Sequence, residues 1–478
     1  MCSRRHTAHR RSGLRFPPAG PFGVDACCTG LVHPHMDLGS SPSEPLPAPA
    51  PDLTSGALTV NSRSVGPAVS VSLCLGVATY IPDFLAPRLI TWITVSAFSV
   101  LFGWILLRHR RVVNRPLVSL ALLVYFLVEL AGAVRYGTGL DYAETLLTLS
   151  LVTSLTAVVS TFDAQDIRQL FTGVIIVCGI QLAFAVAETF LRLPAPRGYG
   201  TRSGSTFDTN VLLPWTGRAP GTFGHAIPLG MYLMVALLLV AFQMRSWRRW
   251  LRAVLVAAFA FGILLSGTRS ALLSGFLALV VGLCSKELTK KHLAWRLTAC
   301  IAALVFGAFV GISELLATLG LQDTGSLNHR LAAIDALDKL YGRSVPELLF
   351  GSGAGSVPHL FELGLLQTDN FTAIDNQLVT LFAVGGIVGT AAVIRAVVSG
   401  YRRVPSGTRP AVLAMVFMFF SFDEFDRLST LILFVTVLAC GSQGRWRGAD
   451  IADDSLAGSS PGQALVLGDR VGPARGST

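Results

Sequence analysis

Between residues 66 and 441 the chain returns again and again to uninterrupted apolar runs, many of them close to the length that crosses a bilayer. About 20 residues of α-helix are needed to traverse some 30 Å of hydrocarbon, where every backbone N–H and C=O has to be satisfied internally. The runs are continuous and do not alternate, so a transmembrane β-barrel is excluded. Hydrophobic residues make up 52% of the sequence and charged residues 14%, and mean hydropathy is +0.59. These values predict an all-α, polytopic transmembrane bundle. Twelve spans are expected, at about 66–81, 89–107, 116–134, 143–161, 170–191, 223–243, 251–266, 270–285, 296–318, 376–399, 410–422 and 428–441.

The two ends differ in character. Residues 1–62, rich in Arg, Pro, Ser and Ala ("SSPSEPLPAPAPDLTSG"), and residues 443–478 are polar and expected to be disordered, cytoplasmic tails. No apolar h-region precedes residue 66, so no signal peptide is expected there, and Met36 offers an alternative start that N-terminal mass spectrometry distinguishes.

Basic loops set the orientation. "RHRRVVNR", "RSWRRWLR", "SKELTKKH" and "YRRVPSGTR" fall between alternate spans, while "IPDFLAPR" and "FDEFDR" on the other side are much less basic. Short basic loops stay in the cytoplasm, which accounts for the net charge of +10 without nucleic acid as a partner. Both termini are then cytoplasmic, and two long loops, 192–222 and 319–375, lie outside the cytoplasmic membrane. The eight cysteines sit in the N-terminal tail or inside apolar runs, with neither a disulfide framework nor metal-ligand spacing. No metal and no cofactor is expected.

Long loops are where chemistry concentrates. In "HRLAAIDALDKLYGR", Leu331, Ile334, Leu337 and Leu340 recur at every third position, which predicts a short amphipathic helix on the outer membrane face or packed on the bundle. "GSGAG" (351–355) lacks the lysine and the glycine spacing of a phosphate loop and reads as a tight turn.

Arginines outside the cytoplasm run against the orientation rule and need another reason. Nine qualify: Arg135, Arg192, Arg197, Arg202, Arg218, Arg269, Arg330, Arg343 and Arg427. Arg269 stands in "LLSGTRSALLSG", in a gap too short for its guanidinium to leave the hydrocarbon boundary freely; at a helix centre that charge costs about 2.5–3.5 kcal/mol. Guanidinium forks match phosphate oxygens and keep their charge, so several converging on one pocket suit a lipid diphosphate. Three histidines face the same side: His225, at a helix start, where capping and function compete; His329, beside Arg330; and His359. Glu129 and Glu188 lie within spans, and each is expected to pair with a nearby arginine such as Arg135 or Arg192. Asp375 and Asn376 stand at the mouth of the span beginning near 376; both suit helix N-capping, and Asp375 also suits proton acceptance.

The stretches "RAPGTFGHAIPLGMY", "ILLSGTRSALLSG", "HRLAAIDAL", "LLFGSGAGSV" and "DNQLVTLFAVGGIVG" resemble the O-antigen ligase and O-antigen polymerase superfamily of membrane glycosyltransferases. The layout resembles the family over 66–441, and the specific stretches fall within 213–389. In the ligases a His followed by Asn, Ser or Gln, nine residues, Gly, two residues and Gly opens the helix after the large outer loop. Asp375, Asn376, Gly386 and Gly389 reproduce that spacing with Asp in place of His, which weakens the ligase signature and leaves ligase and polymerase both open. Arg218, Arg269 and Arg330 match the family's arginines, although Ile334 stands where the family has Leu after Arg330. The resemblance implies transfer of glycan from an undecaprenyl-diphosphate-linked donor to a glycan or lipid-glycan acceptor in cell-surface polysaccharide assembly, alongside other assembly proteins. It implies an arginine-lined diphosphate site, at Arg218, Arg269 and Arg330, and a base, Asp375, that deprotonates the acceptor hydroxyl; Asp375 and Arg330 are then expected to be catalytic, and Arg218, Arg269, Asn376, His225 and His329 to bind the substrate. Twelve spans alone equally suggest a transporter or flippase of lipid-linked glycans.

Overall fold

The computed structural model describes residues 66–81, 87–109, 117–196, 210, 212–284, 325–367, 374, 376–423, 425 and 427–441, with backbone alone at 109, 284 and 325–331. The predicted tails 1–62 and 443–478, the predicted span 296–318 and Asp375 lie outside the described residues. The described part is all-helical, with no strand among those residues.

In chain order the helices are α1 (Gly66–Thr79), α2 (Arg88–His109), α3 (Leu117–Tyr136), α4 (Gly139–Ser160), α5 (Ala164–Phe190), α6 (Ala226–Leu238), α7 (Arg249–Ser266), α8 (Arg269–Cys284), α9 (Gly325–Tyr341), α10 (Val345–Phe350), α11 (Val357–Glu362), α12 (Gln377–Arg403), α13 (Arg409–Met418) and α14 (Leu428–Ala439). A π-helical turn, Leu239–Gln243, prolongs α6. Seven of the described helices are long and apolar enough to cross a membrane: α2, α3, α4, α5, α6 with its π turn, α7 and α12. Three more, Gly66–Thr79, Arg269–Leu283 and Leu428–Ala439, are apolar but shorter.

Capping sets where several of these helices begin. Thr138 and Asp141 form a reciprocal capping box at the start of α4, and Asp163 with Asp166 forms another at α5. Glycine lets helices close on one another. Gly385 and Gly389 of α12 lie against the Tyr125 ring of α3, and α3 with α12 is one of the main contacts of the bundle. The centre belongs to α6, where every residue except Leu237 is buried. A helix apolar on all sides is expected at such a position. On α2, by contrast, Leu89, Ile93, Val100 and Leu107 are exposed, the signature of a face turned to lipid.

A separate cap covers the first turns of α12. Ala333, Ala336 and Leu340 of α9, Leu360 of α11 and Leu366 form a small core with Val379, Phe382 and Ala383. The predicted amphipathic helix is therefore present and packs on the bundle, but its buried stripe is Ala333, Ala336 and Leu340, while Ile334 is only half-buried. Small residues let two helices approach closely.

The "GSGAG" turn joins α10 to α11 and meets α12 at a break. Gly386 has φ 61° and ψ −160°, which interrupts the helix. Around that break, Ser352 N–H donates to Ala383 O (3.0 Å), Gly353 N–H to Val384 O (2.9 Å) and Ala354 N–H to Glu129 O of α3 (3.1 Å). Arg343 completes the plug, its guanidinium donating to Phe382 O (3.0 Å), Ala383 O (2.9 Å) and Ser352 Oγ (3.0 Å). With these three N–H groups committed to helix carbonyls, the turn serves packing.

Candidate functional site

The α7–α8 turn organises one group of charged residues. Gly267 ends α7 in the left-handed region (φ 64°), and a Cβ there would lie 2.7 Å from Asn210 Oδ1 and 2.9 Å from Arg218 Cγ. Only glycine fits. Arg218 Nε donates to Ser266 O at 3.2 Å, and Thr268 Oγ1 donates to Ala226 O at 3.0 Å, which ties the turn to the start of α6. Arg269 then opens α8, half-buried.

Asn210 fixes the approach to Arg218. Fully buried, it donates through Nδ2 to Leu264 O (2.8 Å) and Leu265 O (3.1 Å) at the end of α7 and accepts through Oδ1 from Leu212 N–H (3.0 Å) and Leu213 N–H (3.1 Å). Ala219 N–H adds a further bond to Leu265 O (3.1 Å).

His225 caps α6, its Nδ1 accepting from Ile227 N–H at 3.2 Å. That bond places the ring proton on Nε2. The residue lies just before the α6 span. Burial, then the charges of Arg427 and Arg218, push its pKa down to about 3, so the ring is neutral at physiological pH. Arg427, at the start of α14, and Arg218 are both within electrostatic reach of His225. Segments that are distant in sequence thus contribute Arg218, His225, Arg269 and Arg427 to one end of the bundle.

A second group gathers at the mouth of α12. Asn376 caps the helix, its Oδ1 accepting from Leu378 N–H (3.0 Å) and Val379 N–H (3.3 Å). Gln377 donates its N–H to Phe419 O (2.8 Å) and accepts from Phe425 N–H through Oε1 (2.8 Å), while its Nε2 is buried without a hydrogen-bond partner. Thr380 Oγ1 donates to Asp423 Oδ2 at 2.6 Å. On α3, which packs against α12, Tyr125 donates to the Glu129 carboxylate one turn on, and Glu129 is within electrostatic reach of Asp423. Asp423 and Arg427 share the α13–α14 connector, so this segment borders both groups.

His329 and Arg330 belong to α9 by their backbone; their side chains, like Asp375 as a whole, lie outside what is described. His359 stacks on Tyr136 (centroids 5.2 Å apart) and lies 3.5 Å from Glu362, within the cap. The expected glutamate–arginine pairs differ from those found. Arg135 pairs with Glu347 of α10 at 3.0 Å, and Glu129 with Tyr125. Glu188 accepts instead from the Gly221 N–H at 3.2 Å. Proximity along the chain misled, because the cap brings Glu347 to the end of α3 and the 3-10 turn Gly221–Phe223 brings a backbone donor to α5.

Glu347 is held below the ordinary carboxylate range, first by the hydrogen bond from Tyr136, against the opposing effect of burial, with Ser344 and Arg135 adding to the lowering. Beside the arginine group, a cleft of about 470 Å3 separates the end of α5 from the segment carrying Trp215 and Arg218. Among the described residues no group of three or more His, Cys, Asp or Glu side chains could hold a metal ion.

The residues that sequence reasoning passed over are Asn210, Gln377, Asp423 and, beyond its place among the nine outer arginines, Arg427. The only signal for the last two was the density of charge in "FDEFDR" between apolar runs. Protein-family models give no match to the chain, and curated proteins give none.

Proposed function

We propose that the chain is a membrane glycosyltransferase of the O-antigen ligase or polymerase kind. It takes a glycan from an undecaprenyl-diphosphate-linked donor and transfers or polymerises it onto an acceptor hydroxyl in cell-surface polysaccharide assembly. In this reading about twelve spans cross the cytoplasmic membrane, both termini are cytoplasmic, and the site faces outward. The observation that carries it is that Arg218 and Arg427, from different segments, both act on neutral His225, at the end of the bundle where Arg269 opens α8 beside the turn that Arg218 and Thr268 tie to α6.

The chemistry needs a positive seat for a diphosphate whose charge grows as it leaves. Charge-assisted hydrogen bonds contribute about 1.5–3 kcal/mol each, and fixed donors aimed at developing charge stabilise the transition state. Arg218 and Arg269 bind the diphosphate, with Arg427 added to the set. The Nε2–H of His225 offers a neutral donor. The acceptor oxygen attacks the anomeric carbon, its proton passes to Asp375, and the bond to the diphosphate breaks with the electron pair leaving on the polyprenyl diphosphate. Arg330 and His329, on the α9 cap, act on the substrate from above, and Asn376 sets the start of α12 beside Asp375.

The rival reading, a transporter or flippase of lipid-linked glycans, gains one observation: α12 is broken at Gly386, and broken helices mark transport sites. In transporters the freed backbone groups face a cavity. Here Arg343, Ser352 and Gly353 occupy the carbonyls of Phe382, Ala383 and Val384, so the break serves packing and the transferase reading is preferred.

The experiment is transfer from a polyprenyl-diphosphate oligosaccharide by purified protein in nanodiscs. Arg269→Ala, Arg427→Ala and Asp375→Ala are each expected to lose transfer at least about tenfold, the equivalent of one lost charged contact, while still eluting as a monodisperse species. Full activity in all three refutes the proposed roles.

A further inference from the structure

The cleft beside Arg218 combines three features that the diphosphate reading does not use. Glu188, at the end of α5, is only 9% exposed. Its Oε2 accepts from Gly221 N–H, but its Oε1 is buried with no hydrogen-bond partner among the described residues. A buried carboxylate oxygen left in that state calls for a donor. Trp215, 76% exposed, lines the same cleft, on a turn that Asn210 pins to α7 and that Thr216 closes with its N–H on Leu213 O at 2.9 Å. A large aromatic face held rigidly in a cleft is a stacking platform. Arg192 borders the same space. It follows α5 with a left-handed backbone (φ 54°), unusual for a residue with a side chain, and Leu193 N–H turns back to Ala187 O at 3.4 Å.

We propose that this cleft seats a neutral sugar ring of the acceptor glycan, stacked on Trp215, with one ring hydroxyl donating to Glu188 Oε1. The pairing of groups selects this ligand class. A sugar hydroxyl both donates and accepts, so one ring satisfies a carboxylate and guanidiniums together. A diphosphate diester, such as the lipid-linked donor, carries no P–OH at neutral pH and has no donor to offer Glu188 Oε1. The volume of about 470 Å3 lies within the range of about 300–1,000 Å3 usual for small-molecule sites. The word "acceptor" rests on the transferase reading; sugar binding itself does not.

The test is saturation-transfer NMR on the full chain in nanodiscs, with glucose, galactose, rhamnose and N-acetylglucosamine as probes and inorganic pyrophosphate as competitor. At least one sugar is expected to bind. Trp215→Ala should weaken it about tenfold or more, Trp215→Phe should retain most of the binding, and Glu188→Gln should weaken it by a similar factor, the size of one charge-assisted contact. Trp215 is exposed, so its replacement leaves the fold intact. Three results overturn the proposal: no sugar binds; Trp215→Ala binds as the wild type does; or pyrophosphate displaces the sugar and binds more tightly to Glu188→Gln, which marks an anion site. Sugar binding without transfer from any lipid-linked donor keeps the sugar site and removes the transferase reading. Transfer with an unchanged acceptor KM in both Trp215→Ala and Glu188→Gln does the reverse.

Discussion

Gly386 and Gly385 are adjacent on α12, and alanine at each should give opposite outcomes. Gly386 has φ 61°, and a Cβ there would lie 2.4 Å from Gly351 N and 2.6 Å from Leu349 O, backbone atoms of the cap that cannot swing aside. Holding a non-glycine residue in that region costs about 1–3 kcal/mol, and forcing the two backbones apart adds about 1–3 kcal/mol of overpacking. Gly386→Ala is therefore expected to destabilise by about 2–6 kcal/mol. Gly385 lies in ordinary helical geometry, and its Cβ would meet the Tyr125 ring at 3.1 Å, a side chain able to give way by a few tenths of an ångström. Alanine gains about 1 kcal/mol over glycine in a helix, so Gly385→Ala should stay within about 1 kcal/mol of the wild type. At about 2 °C or more per kcal/mol, Gly386→Ala should lower the apparent Tm by about 4 °C or more, read by fluorescence-detected gel filtration after heating. Limited proteolysis should also show the cap, residues 325–367, cleaved sooner. The reasoning fails if Gly385→Ala proves as damaging as Gly386→Ala.

Other outcomes follow from the same contacts. Arg343→Ala removes charged donors from Phe382 O and Ala383 O and should cost about 2–4 kcal/mol; Arg343→Lys, lacking the planar fork, should recover only part of the loss of apparent Tm. Because the folded-state pKa of Glu347 is depressed, its contribution to stability is present above the ordinary value of 4.5 and is lost as pH falls through the lowered one. The Tm gap between wild type and Glu347→Gln should accordingly be constant from pH 6 to 8 and close in acid; a gap that widens in acid contradicts the assignment. Asn210→Ala leaves buried carbonyls and N–H groups at the end of α7 without partners and should cost about 1–3 kcal/mol, with tryptophan emission shifting as the Trp215 turn loosens.

The bundle was legible because its signal is repetitive: runs of apolar residues lead to helices wherever they are described, and Asn376 marks the start of α12 with a side chain that caps, whereas α4 and α5 begin several residues before their apolar runs, at boxes built on Thr138 and Asp163. The spacing that ends in Gly386 and Gly389 was visible too, but what Gly386 does was not, because a helix break depends on the turn at 351–355 that fills it. The stripe of α9 was read from Leu331, Ile334, Leu337 and Leu340, and Leu340 and Leu337 do reach the cap core, but Ala333 and Ala336 join them there; hydrophobicity picks large residues, whereas close helix approach picks small ones. Arg135 was assigned a partner near it in the chain and found one in the cap. Asn210, a single amide in a polar loop, gave no pattern at all, since its importance lies in four bonds to backbone that only folding brings near.

At the Gly386 break the join between cap and bundle is main chain against main chain, framed by the side-chain core, the Arg343 guanidinium and the Arg135–Glu347 pair. Gly353 presses on Gly132 of α3, and Gly351 on Val384 and Gly386 of α12, at separations where even a methyl group would collide. Backbones pressed together in this way cannot re-pack as side chains do, so this part of the join resists sliding. Any separation of the cap from α12 must therefore break these backbone contacts together, with engaged and detached as its discrete states.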